Sequence, residues 1–358
     1  MSRLEDRYRI MLRLLPAAYR AVWEEDMVAT FSASVATDDP ESAEFLADFG
    51  WPSWSELASV AALAVRLRLG GVGAQPRAVV WGDAVRRIAL IGLLVNAALA
   101  VLGLGRSLWL AGALPLLPAP PEEVTVSMPA GWWGTVWSCA GLLWVAAYVA
   151  LVFGYRRVAW LLAPLALLPA ISWVLPAMTR GESPSFLSGG WFTVMVDGLF
   201  VAALAAFHGD APPLRRRPWL IAAGVVGVAL PLLVMGLWLL APSAANVLDW
   251  GGVHCVLLLI AAVAQLTGRG FGRPRAPAWS LALALLAVPV LGLRVMSVLE
   301  YARFLPSSDV RPLISFGLGE AAAVLVAGVA LGASAARGLR GLPVASGRAA
   351  EASAASSS

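Results

Sequence analysis

Eight apolar stretches of roughly membrane-spanning length run through this chain, at about 88–109, 132–153, 158–178, 191–207, 219–240, 250–266, 279–299 and 313–332. A helix needs about 20 mainly apolar residues to cross the hydrocarbon of a bilayer, and every backbone polar group there must be satisfied within the segment itself. The expected fold class is therefore all-α: a polytopic transmembrane helix bundle of about eight spans. Charged residues are only 13% of the 358, apolar residues are 59%, and mean hydropathy is +0.77. An ordinary soluble domain carries about 25% charged residues. Tryptophans near stretch ends, among them Trp109, Trp132, Trp191, Trp219, Trp250 and Trp279, stand where amphipathic rings meet the headgroups.

Arginine placement sets the expected threading, because loops rich in basic residues stay in the cytosol. Arg86 and Arg87 precede the first stretch, Arg156 and Arg157 follow the second, and Arg215, Arg216 and Arg217 follow the fourth. Arg269, Arg273 and Arg275 follow the sixth, and Arg337 and Arg340 the eighth. The alternate connections hold Arg106, Arg180, Arg303 and Arg311 among acids such as Glu122, Glu123, Glu182 and Asp249. An even number of spans with both termini cytosolic, in the inner (cytoplasmic) membrane, fits every connection. The opening Met1-Ser2-Arg3-Leu4-Glu5-Asp6-Arg7 lacks an apolar core, so no cleaved secretory signal is expected. The pI near 9.6 is accounted for by these edge arginines, and no direct nucleic-acid contact is expected.

The division expected is a cytosolic helical domain over 1–84, the bundle over 85–336 and a disordered cytosolic tail over 337–358. Past Gly341 that tail becomes Ala/Ser/Gly-rich and is expected to be disordered. In the first part a helix from about Arg3 to Leu14 precedes Pro16, and a second runs to about Ala36 with Leu15, Tyr19, Trp23, Met27 and Phe31 at helical spacing. Ser53 and Glu56 form a capping box that opens a third helix carrying Leu57, Val60, Ala64 and Leu67. Pro169, Pro231 and Pro289 each fall near the middle of a stretch, which fits either a trace of duplication or coincidence.

Ionisable residues inside apolar stretches are the first candidates for function, since a charge at mid-bilayer costs at least about 2.5–3.5 kcal/mol. Asp197, Arg294 and Glu320 all fall about 8 to 12 Å from the same edge, counting about 1.5 Å per residue. Matching depth allows Arg294 to pair with Asp197, Glu320 or both, as interhelical glue or around a polar ligand or ion pocket, with unrelated separate positions as the remaining alternative; His254 either joins that pocket or is a hydrogen-bonded interfacial histidine. Asn96 reads as interhelical hydrogen-bonding glue. Cys139 and Cys255 read as small apolar packers, with a disulfide between them as the alternative. No zinc-protease H-E-x-x-H, phosphate-binding P-loop or G-x-S-x-G elbow occurs, and His208 and His254 are the only imidazoles. No enzyme activity, cofactor or metal is expected.

From Glu24 to Glu56 the chain has nine acids and no arginine. Glu24, Glu25, Asp26, Asp38, Asp39, Glu41 and Glu44 compose a face that an anionic leaflet repels, and that is either merely solvated or suited to docking a basic cytosolic protein.

Arg7-Tyr8-Arg9, Leu12-Arg13-Leu14-Leu15-Pro16-Ala17-Ala18-Tyr19-Arg20 and Glu24-Glu25-Asp26-Met27 together resemble the N-terminal helical segment of many uncharacterised actinobacterial membrane proteins. The segment is also similar to the prefix of some ABC-transporter permeases and to HAAS-type signalling segments, over roughly residues 7 to 35. The HAAS resemblance implies a signalling or regulatory role beside a PadR-like transcriptional regulator. The permease resemblance implies a large extracytoplasmic domain, for which this chain has no outer loop long enough. The function expected is a membrane sensor or regulatory scaffold in contact with lipid and a cytosolic partner, with a small-solute or lipid transporter as the alternative. Reporter fusions at Arg156 and Arg216 are expected to read out on the cytosolic side; an exterior reading at either position reverses the threading.

Overall fold

The computed structural model describes residues 2–36, 39, 45, 48–115, 139–179, 184–240, 250–268, 277–304 and 307–342. Among these residues the regular structure is helical and contains no strand. The chain divides into two compact units, one holding Met1–Asp83 with Ala205–Ala211, the other Ala84–Leu204 with Pro212–Arg340.

In the first unit, α1 (Arg3–Leu12) is opened by a capping box that mirrors the one expected downstream. Ser2 Oγ accepts from the Glu5 amide at 3.2 Å, and the Glu5 carboxylate accepts from the Ser2 amide at 3.3 Å. The same device opens α3 (Trp54–Arg68), where Ser53 and Glu56 exchange bonds of 3.2 and 2.9 Å. Between them α2 (Ala17–Val35) lies along α1, and Leu4, Tyr8, Leu12, Leu15, Val28, Phe31, Val60, Ala64 and Leu67 form one core. Tyr8 and Phe31 stack with centroids 4.1 Å apart.

The expected stripe on α2 is only partly the buried one. Leu15 and Phe31 enter the core and Tyr19 and Met27 pack at its edge, but Trp23 stays exposed. The buried face runs through Val28, Phe31 and Val35, roughly one residue, or about 100°, further round the helix. Contacts with α1 fix that rotation: Arg9 reaches Glu25, and Ser32 Oγ lies 3.3 Å from a Glu5 carboxylate oxygen.

After α3 the chain turns through Gly70, whose φ of +83° suits glycine, and enters α4 (Pro76–Leu110) with proline at its first helical position. Gly82 of α4 lies against the Leu69 carbonyl so closely that a Cβ there would collide with it. The residues taken in from 205–211 close on the same turn. His208 Nε2 is 3.3 Å from the Leu69 oxygen, and Arg66 is 3.7 Å from Asp210. Leu69 caps α3, so its carbonyl would otherwise be one of the helix-end acceptors left without an intrahelical donor.

The second unit contains most of α4, then α5 (Leu143–Phe153), α6 (Arg156–Thr179) and α7 (Pro184–Ala203), which ends in a 3-10 turn at Leu204–Ala206. There follow α8 (Arg216–Leu240), α9 (Trp250–Leu266), α10 (Pro277–Phe304) and α11 (Ser307–Arg340). Five helices, α4, α7, α8, α10 and α11, are long and apolar enough to cross a membrane. They cover the first, fourth, fifth, seventh and eighth expected spans. The shorter apolar helices α5 and α9 fall in the second and sixth, and α6 covers the third. Residues 116–138, in which the second expected span begins, lie outside those described.

What these helices expose is itself apolar. Ile221, Val225, Val228 and Leu232 make an exposed stripe down α8, and Leu318, Leu325 and Val329 do so on α11. Water would penalise such surfaces, whereas lipid chains match them.

The inner face of α11 follows a strict alternation of four and three: Gly317, Ala321, Val324, Gly328, Leu331, Ala335, Gly338. This is the 3.5-residue period of left-handed helix packing. Its partner is α10, and the glycines let the two backbones approach. A Cβ on Gly328 would lie 2.9 Å from Ala287 Cβ, and one on Gly338 would lie 2.7 Å from Pro277 Cβ. The helix continues through Arg337 to Arg340, so the first four residues assigned to a disordered tail are helical. No breaker precedes Gly341, and both arginines favour the negative end of the helix dipole. Residues 343–358 lie outside the described set.

The starts of α8 and α10 and the end of α5 meet through aromatic side chains, with Arg87 of α4 beside them. Arg87 of α4 stands 4.8 Å over the Trp279 ring at the start of α10, and Trp279 stacks at 6.0 Å on Trp219 near the start of α8. Tyr148 of α5 donates to the Trp219 carbonyl at 2.7 Å, and Arg216 lies 5.6 Å over Phe153, where α5 ends. A Gly328→Leu substitution is expected to destabilise the α10–α11 seam by about 1–3 kcal/mol, the usual range for overpacking. Thermal unfolding in detergent checks this against Gly319→Leu, whose Cβ meets nothing within 4 Å and which is expected to leave the transition in place.

Candidate functional site

The most enclosed charged group among the described residues of the second unit is the Arg294 guanidinium on α10, 1% exposed. Its Nε lies 2.7 Å from Oε2 of Glu320 on α11, whose side chain is 10% exposed. The two atoms meet off the N–H axis, so the attraction is mainly coulombic. Room for so large a head comes from two glycines on flanking helices. A Cβ on Gly317 of α11 would sit 3.2 Å from Nη2 and 3.3 Å from Cζ, and one on Gly251 of α9 would sit 3.5 Å from Cδ and Nη1. Gly317 and Glu320 share a face of α11 at i, i+3, so one helix supplies both the recess and the counter-charge. Gly251 would also approach Ser297 Oγ at 2.8 Å, and Ser297 in turn donates to the Leu293 carbonyl at 3.2 Å. Three helices thus converge on one cation.

Of the two carboxylates that depth placed near Arg294, the structure ion-pairs Glu320 with it. Asp197 of α7 is bonded instead to Asn96 of α4, whose Nδ2 donates to Oδ1 at 2.9 Å and to the Gly92 carbonyl at 3.2 Å. Equal depth does not guarantee a shared face. Asn96 does act between helices, and its partner is the acid that the sequence had joined to the arginine. The Phe200 ring, one turn beyond Asp197, lies against Gly92, which brings α7 close to α4. His254 stands three residues beyond Gly251, on the same side of α9, and is half-buried. Both cysteines are free thiols, Cys255 fully buried and Cys139 exposed, so the disulfide alternative falls.

In the first unit the acidic face is partly neutralised from outside its own stretch. Arg9 of α1 grips Glu25 with Nη1 at 2.6 Å and Nη2 at 3.0 Å, and Glu24 lies 3.9 Å from Arg9 and 3.6 Å from Arg20. The hydrogen bond from Arg9 holds the Glu25 carboxyl below its usual range. This contribution is present above the unfolded carboxylate pKa and is lost as pH falls through the folded one. Asp26 remains exposed, and Asp39 is engaged within the structure. Asp38, Glu41 and Glu44 lie outside the described residues.

Sequence reasoning missed the aromatic surface of this unit. Phe45, Phe49, Trp51 and Trp54 are all exposed, Trp51 by 76% and Trp54 by 85%. Phe45 and Phe49 stack at 5.3 Å, and the Arg7 guanidinium covers the Trp51 ring at 4.6 Å. The signal was available: Trp51-Pro52-Ser53-Trp54 falls outside every apolar stretch, where tryptophan has no membrane edge of its own segment to mark.

Among the described residues no group of three His, Cys, Asp or Glu side chains converges as a metal site. Among the described residues the architecture is all-helical, with five helices able to cross a membrane and a paired charge enclosed by two of them, α10 and α11, together with the shorter α9. No protein-family model, curated protein or solved structure matches the chain.

Breaking one half of a buried ion pair typically costs about 3–5 kcal/mol, because the other charge is left without compensation. Arg294→Glu and Glu320→Arg are each expected to yield little monodisperse protein, and the double exchange is expected to recover it. Size-exclusion profiles in detergent decide, with Arg294→Glu combined with Asp197→Arg expected to give no recovery.

Proposed function

We propose that this chain is a multi-pass protein of the inner (cytoplasmic) membrane, with about eight spans and cytosolic termini, that works as a sensor or regulatory scaffold rather than as an enzyme. Its first unit is the part offered to a partner, and the observation that carries the reading is the exposed aromatic row Phe45, Phe49, Trp51 and Trp54. Exposed tryptophans clustered on a small unit are typical anchors of protein interfaces. Asp39 and Asp48 stand within the same segment, and its acids disfavour an anionic leaflet and favour a basic protein surface. The resemblance of residues 7 to 35 to HAAS-type segments points to the same kind of partner, a PadR-like regulator.

Within the first unit, the connection that follows α7 is held by Arg66–Asp210 and by His208 at the Leu69 carbonyl.

The transporter reading draws on Pro231 within α8 and Pro289 within α10, since transporters use interrupted helices around midplane sites. The 1% exposure of Arg294 favours the scaffold, because a transported solute needs a wetted path to the charges.

Affinity capture of the full chain from its native membrane, with co-purifying proteins and small molecules both identified, tests the proposal. A DNA-binding regulator is expected with the native chain, and Trp54→Ala is expected to weaken its retention about 30-fold, a 2 kcal/mol anchor by the usual conversion. Retention unchanged by Trp54→Ala, or recovery of a solute or lipid with no such protein, overturns it.

A further inference from the structure

The carboxylates of Glu320 and Asp197 are satisfied in unlike ways. Glu320 faces a guanidinium. Asp197 is 9% exposed and, among the described residues, has a neutral amide as its hydrogen-bond partner and no ion pair. An amide donor recovers only a small part of what a carboxylate loses on leaving water, and a buried acid without a cation takes up a proton instead.

Among the described residues the surroundings supply no replacement charge. Three helices adjoin α7: α4 through the Asn96–Asp197 bond, and α6 and α10 by packing along it. The ionisable residues of α10 with described side chains are Arg294, taken up by Glu320, Glu300, whose Oε1 lies 3.0 Å from the Cβ position of Gly189, eight residues before Asp197, and its neighbour Tyr301. Arg156 and Arg157 open α6, whereas Asp197 lies well inside α7. On α4, Arg87 is nine residues before Asn96 and Arg106 ten after, about 14–15 Å in either direction at 1.5 Å per residue. Asn96 cannot swing away to serve another group, because its remaining N–H is tied to Gly92.

We propose that Asp197 and Asn96 form a proton-binding site, with Asp197 taking up the proton as a carboxylic acid and Asn96 acting as the amide that orients it. Release breaks the carboxyl O–H bond, passes the proton to water and leaves a carboxylate hydrogen-bonded to Asn96. Nothing in this rests on the partner-docking proposal. It needs only that α4 and α7 lie in an apolar surround.

The test uses the full chain in lipid nanodiscs. Infrared spectra are expected to show, at mildly acidic pH, a carboxylic-acid C=O stretch that Asp197→Asn removes and Glu320→Gln leaves. A hydrophobic carbodiimide, which reacts with protonated carboxyls in apolar surroundings, is expected to label Asp197 in the native chain, as mapped by peptide mass spectrometry. Labelling is expected to fall about tenfold per pH unit once the acid titrates. Because the labelling arm uses unaltered protein, it decides the matter even if Asp197→Asn folds poorly. Absence of label on Asp197 at pH 6, or protection of it by sodium at constant pH, overturns the proposal, the latter by replacing the proton with a metal cation.

Discussion

Helices surrounded by lipid cannot be driven together by the removal of apolar surface from water, because lipid tails are as apolar as the side chains they would replace. Association then depends on how closely backbones approach and on polar groups that have no other partner. Both devices occur on one helix here. The seam of α11 places Gly317, Gly328 and Gly338 where α10 comes nearest, and the same face carries Glu320 to Arg294. Remove the glycines and the ion pair would have to close across a wider gap. Remove the ion pair and the close seam would hold a charge with nothing to compensate it.

The first unit obeys a different rule, since its core of leucine, valine and aromatic side chains is of the kind water assembles. Its helices are short, and α1 and α3 each rely on a serine–glutamate box to satisfy their opening amides. With α2 turned so that Val28 and Phe31 enter that core, Arg9 meets Glu25 on the surface and Trp23 stays outside. Surface pairs contribute little stability singly, so the burial of the apolar face is the larger contribution.

These contrasts explain what the sequence disclosed. Length and hydropathy are local properties, so the apolar helices, the Ser53 box and the depth of Arg294 and Glu320 could be read directly. The partner of Asp197 could not, because depth gives a level and not an azimuth. Asn96, assigned a generic role as glue, turned out to complete that acid. The neutralisation of Glu24 and Glu25 was hidden for a similar reason: Arg9 and Arg20 lie outside the arginine-free stretch in sequence and beside it in space. The capture of 205–211 by the first unit has no local signature at all, since it depends on a histidine and an aspartate meeting a helix end more than 130 residues earlier.

The two acids of the apolar helices, Asp197 and Glu320, are held in unlike ways. A carboxylate facing a guanidinium in a sealed recess has one stable charge state, because neutralising either member strands the other, and it is fitted to hold α9, α10 and α11 in register. A carboxyl facing an amide has two accessible charge states, separated by the arrival of water or a proton, and it is fitted to change. Asp197 lies on α7 and the Arg294–Glu320 pair on α10 and α11, within one compact unit, so the acid free to change its charge is carried by a different helix from the pair that is not.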